Sequence, residues 1–406
     1  MVGVTAEFTI KPSLKNTSSL FGNYYLSYES RPFNILVDTS QLSGARTTFE
    51  WNPNTKFQIK LGSEAFVENY HWQTYVTNNG IQGNLLSNNQ ENRSQVNVFA
   101  QSILQLSSHW SFQAGLSYNY TRYRLEDQFL QDSVDRSGDY SFEPILSPYL
   151  STTYTLHHRN NTYKWYGIWS YGFSSPTLEE TLTPSGAINP DIQPERGWNY
   201  ELGTSGNTKY FTWRLAVYTM RIRDLLVARR TDFDQFIGIN AGKTTHNGLE
   251  LELKANLSWK NSTFQPFVSY TYSDYVFNDF QDGNNDYSGN ALTGTPPHLL
   301  TSGLIWAWKG IYGNINYQFV DAMPIRDDNS LYSEAYDLLN ARLGYSTFIN
   351  KHWGIEIFAG VNNIWNEKYS SMLLINANST GAAQPRYYYP GLPINYYGSL
   401  KVLYRW

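Results

Sequence analysis

From Leu249 to Trp259 the chain alternates without a break: Leu249, Leu251, Leu253, Ala255, Leu257 and Trp259 are separated by Glu250, Glu252, Lys254, Asn256 and Ser258. A period of two places one set of side chains on each face of an extended strand, so this stretch dictates a sheet that is apolar on one side and polar on the other. The pattern recurs. Phe264, Pro266, Val268, Tyr270 and Tyr272 form one face of a second stretch, and Trp353, Ile355, Ile357, Ala359 and Val361 that of a third. Val96, Val98, Ala100, Leu104 and Leu106 give a fourth, and Phe112, Ala114, Leu116, Tyr118 and Tyr120 a fifth. Strands in soluble sheets run about 5–6 residues. These run about 10, the length of a tilted strand crossing a bilayer.

Composition agrees. Only 16% of the 406 residues are charged, against about 25% in ordinary soluble domains, while 17% are aromatic. No run of 18 apolar residues offers a membrane-crossing helix. The absence of cysteine excludes a disulfide framework and a thiolate metal site. Thirty basic against 34 acidic residues is too even for a nucleic-acid-binding face. Seven scattered histidines show no metal-ligand spacing, and no Gly-x-Ser-x-Gly elbow marks a hydrolase, so neither a metal site, a cofactor nor an enzyme is expected.

The connections alternate in length. Short polar turns are expected near Lys15–Ser19, Asn52–Thr55, Ser107–His109, His157–Thr162, Ser205–Thr208, Lys260–Ser262, Trp308–Gly310 and Asn350–His352. Long irregular segments are expected near 72–92, 124–141, 174–196, 276–297 and 366–392. Turns on one rim and loops on the other is the rhythm of a transmembrane barrel, and no blade repeat suggests a propeller. Trp51, Trp110, Trp213, Trp259, Trp306, Trp308 and Trp353 gather beside the turns, where aromatic girdles sit. Eight turns and a final amphipathic strand from Ile394 to Trp406 give about 17 strands. The fold class expected is therefore all-β, an antiparallel transmembrane β-barrel.

Particular segments resemble TonB-dependent outer-membrane receptors. Ser175-Pro176-Thr177-Leu178-Glu179-Glu180, Asn189-Pro190-Asp191-Ile192-Gln193-Pro194-Glu195 and Trp198-Asn199-Tyr200-Glu201-Leu202-Gly203 are similar to that family's signature region. Asn247-Gly248-Leu249-Glu250-Leu251, Thr295-Pro296-Pro297-His298, Tyr336–Tyr345, Val361–Tyr369 and Pro385–Gly391 resemble its later strands and turns. The resemblance covers roughly 170–406. It implies strands 6–22 of a 22-stranded barrel in a Gram-negative outer membrane, with Tyr404 and Trp406 as the signal read by the barrel assembly machinery. Nothing before residue 175 resembles the plug domain, the TonB box or a signal peptide, so residues 1–406 are expected to be partial barrel alone.

The resemblance also implies a ligand and partners: an iron complex, outer-membrane lipid and lipopolysaccharide, and the TonB complex in an intact relative. Phe173-Ser174-Ser175-Pro176 lacks the Arg-Ala of haem receptors and no histidine lies between Phe173 and Glu195, which favours a ferric siderophore over haem. Arg229, Arg230, Arg326, Arg386, Tyr387, Tyr388 and Tyr389 are the candidate ligand contacts, since guanidinium and phenol groups suit flat, anionic chelates; loop packing and lipopolysaccharide contact are the competing roles. Pro176, Asn189, Pro190, Pro194, Glu195, Tyr200, Glu201 and Gly203 are expected to be structural. With plug and box absent, this stretch by itself is expected not to perform energised uptake. The competing readings are a passive porin of 16–18 strands, which has no reason to carry the signature at 175–203, and a non-functional truncated receptor with open sheet edges.

Overall fold

In the computed structural model, residues 2–405 are described except 32–33, 130, 132, 177–180, 182–188, 190, 231–235, 241, 283 and 378–385. The described residues form a 19-stranded antiparallel sheet. Two of its strands are short pieces: Gly138–Ser141 beside a longer strand, and Leu257–Trp259 continuing another past Asn256. The remaining seventeen cross the sheet as a meander. They are β1 (Val2–Lys11), β2 (Leu14–Ser30), β3 (Ile35–Asn54), β4 (Phe57–Asn78), β5 (Ile81–Gln105) and β6 (Trp110–Asp127). Next come β7 (Ile145–His158), β8 (Asn161–Ser174), β9 (Glu195–Asn207), β10 (Phe211–Arg223), β11 (Lys243–Ala255) and β12 (Ser262–Asp279). Last are β13 (His298–Trp308), β14 (Ile311–Val320), β15 (Tyr336–Phe348), β16 (Trp353–Asn362) and β17 (Asn395–Tyr404). Each pairs with the next in sequence; among the described residues β1 pairs only with β2, and β17 only with β16.

The register keeps the two faces separate across the whole sheet. Leu251 of β11 lies opposite Leu215 and Tyr270, while its neighbour Glu252 lies opposite Arg214 and Ser269. The apolar face has no protein cover: Leu202 is 67% exposed and Leu400 67%. A patch of that extent is what lipid covers. Along β5 the outward residues change from Leu104, Ala100, Val98 and Val96 to Ser94, Asn92, Gln90 and Asn88. The apolar band therefore ends near Val96, and the upper parts of β4 and β5, which are 22 and 25 residues long, project beyond it.

Two expectations are corrected. Lys15–Ser19 lies within β2, and the turn is at Pro12-Ser13, where proline cannot donate to the ladder. Residues 72–92 are mostly strand, reversed at Asn79-Gly80, whose φ angles of 54° and 86° make the left-handed pair a two-residue hairpin needs. Projecting above the membrane, these strands are polar on both faces, so they lose the alternation that marks the spanning part. Two further long connections, 224–242 between β10 and β11 and 321–335 between β14 and β15, lie on the loop rim beyond those expected from the sequence.

On the polar face, tyrosines reach across glycines. Tyr218 of β10 lies over Gly248 of β11, where an added Cβ would sit 2.3 Å from the ring, and its hydroxyl meets that of Tyr275 on β12 at 2.6 Å. Tyr312 of β14 lies over Gly344 of β15 in the same way and donates to Glu356 of β16 at 2.6 Å. In each case one side chain ties three strands, which only a missing Cβ on the middle strand allows. Gly248→Val is expected to push the Tyr218 ring off its neighbour and cost about 1–3 kcal/mol. Urea unfolding in vesicles measures this, and Gly172→Val, which has open space around it, should cost less.

Candidate functional site at the loop rim

The long connections do not stand apart; five consecutive ones are stitched together. The segment before β9 is tied to the hairpin Leu226–Arg230/Phe236–Asn240. The Asn240 side chain accepts from the Gln193 N–H at 2.8 Å and donates to the Gln193 carbonyl at 2.9 Å and the Asp224 carbonyl at 2.6 Å. Glu195 accepts from the Leu226 N–H at 3.2 Å, and the Asn189 amide donates to the Gly238 carbonyl at 3.4 Å. The connection that carries this hairpin packs next on the end of β12 and the residues after it, through Leu225, Val227 and Ile239 against the buried rings of Phe277 and Phe280.

The third junction is polar. Asp327, between β14 and β15, accepts from the Thr293 hydroxyl at 2.5 Å and the Asn376 amide at 2.9 Å, and its own N–H donates to the Asn376 side-chain oxygen at 3.1 Å. The Asn290 amide donates to the Asp327 carbonyl at 2.8 Å. Asn329 pairs through both side-chain atoms with the backbone of Ala291, at 2.8 and 3.0 Å. Asn329 and Asn376 both have positive φ, 51° and 50°, a region asparagine tolerates better than other residues with a Cβ. Ile325, Ala377 and Tyr387 form an apolar core beneath, joined by Leu331, Leu373 and Leu374. One carboxylate thus joins the connections after β12, β14 and β16.

The candidate ligand residues separate within this assembly. Tyr387 is buried in the loop core, and Arg326 is engaged by Asp328 at 3.2 Å and by Tyr387. Arg386, Tyr388 and Tyr389 are exposed beside the hairpin Ser370–Leu373/Tyr388–Pro390. Arg229 and Arg230 lie in a hairpin strand, but their side chains are outside the described residues, as are Pro190 and Trp406. Among the signature positions, Pro176 and Pro194 are buried and Glu201 accepts from the Tyr166 hydroxyl at 2.8 Å. Gly203 lets that same ring approach, and Tyr200 faces outward. Tyr404 packs on Trp353, with ring centroids 4.9 Å apart. The sequence reading missed Asp327, Asn329 and Asn376; the Asp-Asp-Asn-Ser run at 327–330 signals a turn, but not its partners 49 residues away.

Among the described residues there is no metal-binding group of histidine and carboxylate side chains. Partial burial pushes the Asp328 carboxyl up, but the Ser330 hydroxyl and N–H and the Arg326 guanidinium outweigh this and hold it below the usual carboxylate range. A carboxyl that titrates lower when folded supports the folded loops fully above about pH 4 and loses that support as pH falls through its depressed value. The protection of amides in 325–331, corrected for the intrinsic pH dependence of exchange, is therefore expected to fall on acidification below about pH 4. Asp327→Ala is expected to remove about 1–3 kcal/mol of protection at neutral pH. It should do so simultaneously in 290–294, 325–331 and 374–376, which hydrogen exchange resolves by segment.

Comparison with known proteins follows the same outline. The family model described as TonB dependent receptor-like, beta-barrel, matches residues 2–364. The ferrioxamine receptor of Yersinia enterocolitica is 26% identical over 320 residues, 72% of this chain and 38% of that protein. The vitamin B12 transporter BtuB of Photobacterium profundum is 24% identical over 250 residues, 61% of this chain and 36% of that one. The chain therefore spans less than half the length of these curated relatives. Among solved structures, the copper transporter OprC superposes with a TM-score of 0.77 at 14% identity, over 99% of this chain and 64% of its own. The unliganded ferric citrate transporter FecA gives 0.77 at 16%, over 99% and 60%. A family match over most of the chain, a polar-lined antiparallel sheet and a turn-and-loop rhythm coincide: the chain belongs to the TonB-dependent receptor β-barrel family of the Gram-negative outer membrane.

Proposed function

We propose that this barrel takes part in uptake of a ferric siderophore or a similar organic iron complex, captured at the loop rim. The observation that carries the reading is the stitched assembly of five loops, which leaves Arg386, Tyr388 and Tyr389 exposed on a rim whose described connections are tied to one another. A preorganised rim binds a rigid chelate with less ordering cost than free loops would. Guanidinium and phenol groups suit an anionic, aromatic complex. The ferrioxamine and ferric citrate relatives favour iron, while the vitamin B12 and copper relatives define the competing cargoes. In this reading Asn189, Pro194 and Glu195 anchor the signature loop, and Tyr404 with Trp406 serves barrel assembly. Lipopolysaccharide surrounds the loop rim, and energy for release comes from a TonB complex. Among the described residues β1 and β17 are each paired on one side only, and in lipid those two outer ladders must be paired as well, with each other or with further strands.

Cells expressing the protein under iron limitation, offered labelled hydroxamate, catecholate and citrate chelates of iron and, in parallel, cobalamin, test this. Saturable uptake of one ferric chelate class, stopped by a protonophore, is expected. Exchange of Arg386 and Tyr388 together for alanine should weaken capture about tenfold. Cobalamin uptake with no ferric chelate taken up overturns the reading.

A further inference from the structure

The two rims of the barrel carry opposite charge. Within three residues of the eight short turns and the chain end there are nine basic side chains and no acidic one: Lys11, Lys15, Lys56, Arg159, Lys209, Lys260, Lys309, Lys351 and Arg405. The eight connections on the other rim hold 17 acidic and seven basic residues. Glu50, further up the strand before the Thr55-Lys56 turn, is already beside Lys60 at 3.5 Å, so the turn lysines have no acidic partner among the described turn residues.

Three of these cations are on successive turns, those joining β9 to β10, β11 to β12 and β13 to β14. Each is held against an aromatic ring. The Lys209 ammonium lies 5.0 Å from the Tyr210 ring centre, Lys260 4.9 Å from Trp259 and Lys309 5.5 Å from Trp308. Trp259 and Trp308 belong to the outward face by register, opposite Ser262 and Ile311, and Trp259 is 68% exposed. An outward indole at the end of a membrane strand marks the interface between acyl chains and headgroups. A lysine folded over that indole places its ammonium at headgroup depth.

We propose that Lys209, Lys260 and Lys309 form a docking rim for anionic phospholipid headgroups of the periplasmic leaflet. The phosphate is the acceptor, the ammonium groups the donors, and the indoles fix the depth at which they meet. The partner is lipid because the cations are continuous with the lipid-facing surface and are carried by its interfacial aromatics. Charge complementarity selects the anionic lipid: basic side chains next to a membrane surface attract anionic headgroups, and salt weakens that attraction.

The test is native mass spectrometry of the protein released from mixed micelles holding equal amounts of phosphatidylglycerol and phosphatidylethanolamine. The wild-type protein should retain phosphatidylglycerol in excess, and the excess should fall as salt is raised. In Lys209→Gln/Lys260→Gln/Lys309→Gln it should drop by about threefold or more. Arg122→Gln/Arg124→Gln/Lys243→Gln, which removes as many cations from the opposite half of the barrel, should leave it unchanged. Equal retention of the two lipids by the wild type, or an unchanged excess in the turn-lysine variant, overturns the proposal. Should the triple variant fail to fold, the three single lysine-to-glutamine variants carry the test, each expected to lower the excess, and an unchanged excess in all three overturns the proposal.

Discussion

The pairing of backbone N–H and C=O groups between neighbouring strands is the constraint on which the rest of this molecule depends. In lipid an unpaired group costs several kcal/mol, so every residue that crosses must be in a ladder on both sides. A meander satisfies this for β2 to β16 with the least chain: each of β1 to β16 pairs with the next, and eight two- to four-residue turns do the joining on one rim. The same constraint dictates the side-chain pattern. Once the strands are paired, one face meets acyl chains and the other meets water, and the register must hold that division across every strand. The opposition of Glu252 to Arg214 and Ser269, one step from the opposition of Leu251 to Leu215 and Tyr270, is that division in a single cross-section.

Tying strands together on the wet face is a separate problem, because water competes for every polar contact there. The tyrosine-over-glycine arrangement answers it by packing. Tyr218 and Tyr312 lay a ring flat on the neighbouring strand and place a hydroxyl on a group one strand further, so hydrogen bond and apolar contact reinforce each other. Gly248 and Gly344 are required by close approach, since neither has a positive φ.

The spanning part of the fold was legible because its physics is local. Alternation reports two-sided solvation residue by residue, and turn residues report reversals, so the count of seventeen crossings follows from the sequence. Legibility fails where solvation is the same on both faces. Above Val96 both sides of β5 face water, the alternation disappears, and only the Asn79-Gly80 pair marks the reversal. The rim was legible in part. Pro176, Pro194 and Glu195 could be read as anchors from their residue types. Asp327 could not, because its partners Thr293 and Asn376 are remote in sequence and nothing local distinguishes its carboxylate from that of Asp328. The separation of Tyr387 from Tyr388 and Tyr389 was also hidden: three identical residues in a row differ only in which one the loop core buries.

These features divide the molecule by height. The membrane band needs only uniform apolarity and paired backbones, which many sequences supply. The turn rim needs little chain, and its nine cations sit where turns are short and no loop can screen them. The loop rim has the opposite character: long connections, specific polar junctions and small buried cores at each seam. Long loops would otherwise contribute conformational entropy that any captured ligand must remove. Joining five of them through Asn240, the Phe277–Phe280 pair and Asp327 moves that ordering cost from the binding step into folding, where the whole barrel shares it. The consequence is that selectivity at this mouth rests on which side chains the junctions leave exposed, so residues that touch no ligand decide what the rim can recognise.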